Sequence, residues 1–68
     1  MENLQLAQRI RAFRKLKGFT QEELAEQSGV SLDVLGAIER GNRRAENQIL
    51  NKIADVLGIS LAELGKRE

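Results

Sequence analysis

Three arginines, Arg40, Arg43 and Arg44, stand between positions 40 and 44 of this chain. Guanidinium groups gathered in this way can neutralise phosphate oxygens through charge-assisted hydrogen bonds. A charge cluster can equally be a solvated face and nothing more. Immediately upstream, Leu32, Asp33, Gly36, Ala37 and Arg40 recur at helical spacing and share one face. Base edges in a nucleic-acid groove are read by bidentate hydrogen bonds and by apolar contact with the thymine methyl. In those terms Leu32 or Ala37 can pack on a methyl, and Asp33 can accept from cytosine N4. Asp33 also has an ordinary structural reading, since an acid in the first turn of a helix is favoured by the macrodipole whatever the ligand. Gly36 weakens a helix interior by roughly 1 kcal/mol, which points to the close approach of some backbone, either nucleic acid or a neighbouring helix. Gln21, at the start of an earlier helix, has a backbone amide that can face an anion. Catalysis has little to work with. The chain contains no His and no Cys, its acids lie at caps or on helix faces, and no nucleophile–base pair or metal set is legible.

These residues hang on two short capped helices joined by a tight turn, written TQEELAEQSGVSLDVLGAIERG from Thr20 to Gly41. Thr20 followed by Glu23 is a capping box, in which each side chain satisfies an orphan N–H of the first turn. Leu24 and Ala25 form a short apolar face, and Gly29 breaks the pattern, as a residue free to adopt the left-handed conformation does. Ser31 is placed to cap a second helix whose Leu35 and Ile38 lie one turn apart. Ala25 must be small, because helices joined so tightly cross closely. The spacing therefore predicts a helix-turn-helix over about residues 20–40, a unit that presents its second helix to a nucleic-acid groove.

Size and composition bound the rest. A chain of 68 residues is a single domain, 1–68, whose core is marginal at this size. Without cysteine, neither a disulfide nor a Cys-based zinc site can supplement that core. Hydrophobic residues make up 41% of the chain with Phe13 and Phe19 its only aromatics, which suits a small aliphatic helical core. No apolar run approaches the ~20 residues that span a bilayer, and no signal-peptide pattern is present, so a cytoplasmic protein with no membrane partner is expected. The net charge of +1 gives no general sign of nucleic-acid binding, but the charges are unevenly placed. Residues 1–20 hold five bases against Glu2, residues 21–39 hold five acids and no base, and the arginine cluster follows.

Glycine punctuates the chain. Gly18, Gly29, Gly41, Gly58 and Gly65 fall where apolar periodicity stops. Leu6, Ile10, Phe13 and Leu16 predict helix 1 over about Asn3 to Lys17, with basic residues in its last turns. Helix 2 is expected from about Gln21 to Gln27 and helix 3 from about Leu32 to Arg40. Ile49, Leu50, Ile53, Ala54 and Leu57 mark helix 4, with Glu46 or Asn47 as its cap. Ser60 and Glu63 form a second capping box ahead of a short helix 5 carrying Leu61 and Leu64. No strand-like alternation or repeat is present. The fold class is all-α, a compact five-helix bundle.

Together, RIRAFRKLKGFTQEELAEQSGVS, IERG and ILNKIADVLGISLAEL resemble the lambda repressor and Cro type of helix-turn-helix domain, the XRE family, in order and with matching spacings. The resemblance covers nearly the whole chain. It implies a lambda-repressor-like bundle that binds double-stranded DNA, with helix 3 in the major groove, helix 2 across the backbone, and two copies on a two-fold site. It implies a phosphate contact at Gln21 and backbone contacts from Arg40, Arg43 and Arg44, with Ser31 and the helix 3 face completing the contact set. Arg14 and Glu39 match a pair that forms a structural salt bridge in relatives. The helix 3 face departs from the family pattern, because relatives commonly place Gln, Asn, Arg, Ser or Thr there.

The leading expectation is a small, repressor-like transcriptional regulator, with no cofactor, metal or small-molecule ligand. The alternative is a protein-interaction module that keeps the fold without specific DNA binding, favoured by the weakly polar helix 3 face and the acidic run. A single small reading head with few polar base contacts binds weakly, so a homodimer on DNA is expected, with half-sites about one helical turn (~34 Å) apart. Its interface is expected to run from the exposed side of helix 4 through Leu61 and Leu64, unless those two leucines close the core.

Overall fold

The computed structural model describes residues 2–64, with side chains from residue 4. Five helices follow one another: α1 (Glu2–Leu16), α2 (Gln21–Ser28), α3 (Leu32–Glu39), α4 (Asn47–Leu57) and α5 (Leu61–Leu64). Helix ends follow the local signals closely. Thr20 Oγ1 accepts from Glu23 N–H at 3.0 Å while Glu23 Oε1 accepts from Thr20 N–H at 2.9 Å, completing the capping box. Gly29 ends α2 at φ +77°, where a Cβ is strained, and both its N–H and that of Val30 donate to Ala25 O. Ser31 Oγ then accepts from Val34 N–H at 3.2 Å and starts α3. Of the two candidate caps for α4, the backbone selects Glu46, although its side chain makes no capping hydrogen bond. At the start of α5, Ser60 Oγ accepts from Glu63 N–H at 2.9 Å, which is one of the two bonds of the expected capping box. Gly65, expected to close α5, lies outside the described residues.

The helices surround one aliphatic core. Ile10, Leu24, Leu35, Ile38, Ile53, Leu57 and Leu64 are all but fully buried, and Phe13 and Phe19 pack against its edge. α3 packs against both α1 and α2, and α4 packs against α2 and α5, so the second helix of the turn is held from two sides. Ala25 is buried at 5% exposure, as the tight joint between α2 and α3 requires.

The packing decides the place of two leucines. Leu16, counted with the apolar face of helix 1, is 76% exposed. It lies six residues beyond Ile10, hence about 120° away from it around a helix of 3.6 residues per turn. Leu64, expected either at a dimer interface or as a residue closing the core, is 0% exposed. The guanidinium of Arg9 donates to the carbonyls of Leu64 and Glu63 and so ties the end of α5 down onto α1. Leu64 is a core residue.

Candidate nucleic-acid interface

The outward surface of the α2–α3 unit carries the residues singled out by the sequence. Leu32 and Asp33 are exposed in the first turn of α3, with Leu32 at 40%. Ala37 is half-buried one turn on, and Arg40 is exposed at the end of the helix. Arg43 and Arg44 are both exposed in the loop between α3 and α4. Ser31 is exposed, and its hydroxyl oxygen is already engaged as the α3 cap, which leaves its O–H free to donate outward.

Gly36 is the exception on this face. It is buried, and it has neither a neighbouring backbone nor open space above it. A Cβ built there would meet Arg40 Nη1 at 3.2 Å, Gln21 Oε1 at 3.7 Å and Gln21 Nε2 at 4.0 Å. Of the two expected approaches, that of a neighbouring helix backbone is therefore corrected. The ends of two polar side chains, one from α2 and one from α3 itself, cover the glycine.

Behind this surface one carboxylate holds three elements together. Arg14 Nε donates to Glu39 Oε2 at 2.9 Å and Nη2 donates to Glu39 Oε1 at 3.0 Å, a two-pronged pair joining α1 to the end of α3. The two side chains are only 12% and 2% exposed. Arg14 Nη1 also donates to Phe19 O at 3.0 Å, which anchors the segment leading into α2. The salt bridge expected between Arg14 and Glu39 is present. Not foreseen was a third donor: Gln21 Nε2 donates to Glu39 Oε1 at 3.2 Å. The start of α2 is thereby fixed to the end of α3, and Gln21 is half-buried rather than a free first-turn residue. No sequence signal announced it, because 18 residues separate the partners.

The network also alters the meaning of the acidic run. Of the acids between residues 21 and 39, Glu39 is neutralised by Arg14 and Glu23 is spent on a cap. Among the described residues no buried side-chain N or O lacks a partner, and no group of three His, Cys, Asp or Glu is placed to hold a metal ion. No described helix is long and apolar enough to cross a membrane.

Comparison with known proteins gives a uniform result. The helix-turn-helix family pattern matches residues 10–64. The HTH-type transcriptional regulator YazB of Bacillus subtilis is 57% identical over 60 residues, covering 88% of this chain and 87% of that protein. The HTH-type transcriptional regulator SinR of the same species is 40% identical over 60 residues, and the match spans 54% of SinR. The structure of the N-terminal DNA binding domain of SinR matches with a TM-score of 0.87 at 38% identity, over 93% of each chain. The restriction-modification controller protein C.AhdI of Aeromonas hydrophila matches with a TM-score of 0.88 at 37% identity, over 91% of this chain and 94% of that one.

Proposed function

The chain belongs to the helix-turn-helix family of the lambda repressor and Cro type, and on that premise we propose that it is a small transcriptional regulator binding double-stranded DNA sequence-specifically, with α3 in the major groove. The observation that carries this reading is the rigid α2–α3 unit, its outer face free of core contacts at Leu32, Asp33 and Arg40 and its inner side locked by Glu39. The relatives are transcriptional regulators, so a module that kept the fold without DNA binding is not favoured. Selection from a random duplex pool tests the proposal. The expected result is enrichment of a common sequence, with log affinity falling linearly as log salt rises. A chain that enriches nothing and binds little at any salt is an interaction module instead.

Contacts divide into those that position and those that specify. The Gln21 backbone N–H at the α2 N-terminus, the Ser31 hydroxyl, Arg40, Arg43 and Arg44 are assigned to phosphates. Leu32 and Ala37 are assigned to thymine methyls and Asp33 to cytosine N4. Asp33 is the residue that discriminates between outcomes. A carboxylate accepts from cytosine N4 and repels acceptor-rich edges, at the expense of facing phosphate charge. Asp33→Asn is expected to raise affinity for random DNA while narrowing the gap between selected and random duplex by about 1–3 kcal/mol. Titrations of both duplexes decide it. If the ratio is unmoved and stability drops by a few tenths of a kcal/mol, Asp33 serves the helix dipole alone.

Two copies on DNA double a contact set that is thin in polar base readers. The expected complex is a homodimer on half-sites about one helical turn (~34 Å) apart. With Leu64 in the core, the proposed interface is reduced to the outer side of α4 and the half-buried Leu61. Sedimentation of the complex with a selected duplex gives the stoichiometry. A monomer binding single half-sites without cooperativity rules the dimer out.

A further inference from the structure

Gly36 raises a question that the fold does not answer. It lies in the interior of α3, its φ is not positive, and nothing in the backbone geometry calls for glycine. Alanine there would favour the helix. The space a methyl group would take holds no core side chain and no neighbouring backbone, only the Arg40 guanidinium at 3.2 Å and the Gln21 amide beyond it. The two sides of that space differ in kind. Gln21 is fixed, because its Nε2 donates to Glu39, which Arg14 grips in turn. Arg40 is a long exposed side chain with no hydrogen bond from its guanidinium among the described residues. It lies across the bare backbone of its own helix, one turn back from its Cα, against the Gln21 wall.

We propose that Gly36 is a positioning residue for DNA recognition: its missing side chain is the seat that holds the Arg40 guanidinium folded over α3 beside Gln21, ordered before DNA arrives. The inference rests on the DNA-binding reading above and adds to it the reason for glycine at this position. A long arginine that must be ordered on binding loses rotamer freedom at that moment, and one already seated loses less. A contact of 3.2 Å to the far end of a flexible side chain is relieved by moving that side chain. Gly36→Ala therefore makes the Arg40 guanidinium give way by a few tenths of an ångström, a displacement from its seat that leaves the fold intact.

The test compares the wild-type chain with Gly36→Ala, Arg40→Lys and the double variant, on a duplex selected from the random pool and on mixed-sequence duplex. Gly36→Ala is expected to raise the thermal midpoint by about 4–8 °C, the gain from helix propensity in a domain of this size. It is expected to weaken binding to the selected duplex about three- to tenfold. Arg40→Lys, which keeps the charge but loses the flat guanidinium, is expected to lose a similar factor and to be indifferent to adding Gly36→Ala. In the free protein, NMR relaxation at Arg40 Nε is expected to show order that exposed Arg43 lacks and that Gly36→Ala reduces. An Arg40 as mobile as Arg43, an unchanged affinity in Gly36→Ala, or the same loss in both backgrounds overturns the proposal. A wild-type chain that binds neither duplex overturns the DNA reading and this inference with it. An ordered Arg40, normal wild-type binding and an unaffected Gly36→Ala variant together overturn the inference alone.

Discussion

Replacing Arg14 by alanine is expected to destabilise the domain by about 3–5 kcal/mol, because the Glu39 carboxylate is left buried without its cation. A folded chain of 68 residues has a total stability of roughly 3–10 kcal/mol, so the variant loses a large part of it. The damage is concentrated where the proposed function needs rigidity. Glu39 at 2% exposure has Arg14 and Gln21 as its partners, and Gln21 alone cannot compensate a charge. Urea unfolding of the two proteins gives the number directly. Loss of DNA affinity is expected to accompany the loss of stability, because Arg14 acts on the proposed contact surface only through Glu39 and Gln21. Replacing both members by apolar residues of similar size, Arg14→Met with Glu39→Leu, is expected to restore much of the stability, because a well-packed apolar pair avoids desolvating two charges. A loss below about 1 kcal/mol for Arg14→Ala is the range of an exposed pair and refutes a structural role for the bridge.

The double variant Arg43→Ala/Arg44→Ala is expected to show the opposite pattern. Both residues are exposed in the α3–α4 loop, where an arginine contributes little to stability, so the thermal midpoint should scarcely move. If each neutralises one phosphate, the salt slope falls by about 2, and affinity at 0.1 M salt falls roughly 60-fold, on every sequence alike. Titrations on selected and mixed duplexes at several salt concentrations separate these quantities. An unchanged slope removes the loop arginines from the interface and leaves Arg40 as the cation of the proposed contact set.

Much of this architecture is written within four residues of where it acts. Thr20 and Glu23 cap each other across three positions, and Ser31 reaches Val34 across three more. Gly29 needs only its own φ of +77° to end α2. Such features depend on backbone geometry common to all helices, so the sequence displays the α2–turn–α3 unit with its ends nearly in place. The core face of α3 was equally legible, since Leu35 and Ile38 lie one turn apart on it and both are buried.

What depends on contacts far apart in the chain was not legible. Leu16 and Leu64 are both apolar and periodic, yet one is 76% exposed and the other fully buried. Periodicity says which residues share a face and cannot say whether another helix covers it. Leu64 is covered because α5 packs onto α1 and α4, where Arg9, 55 residues away, also donates to its carbonyl. Gln21 reads as a free helix start, and only the crossing of α2 and α3 brings its amide to Glu39. Gly36 reads as a gap waiting for a backbone. Arg40 stands just one turn away in sequence, but the fixed Gln21 beyond it decides which way that long side chain lies. The sequence alone therefore determines the five helices, the turn and the residues available to meet DNA, because caps, glycines and apolar spacing act locally. Which of those residues are free, which are locked and which seat another is decided by helix crossings, because burial and hydrogen bonding at a distance exist only once the chain has folded.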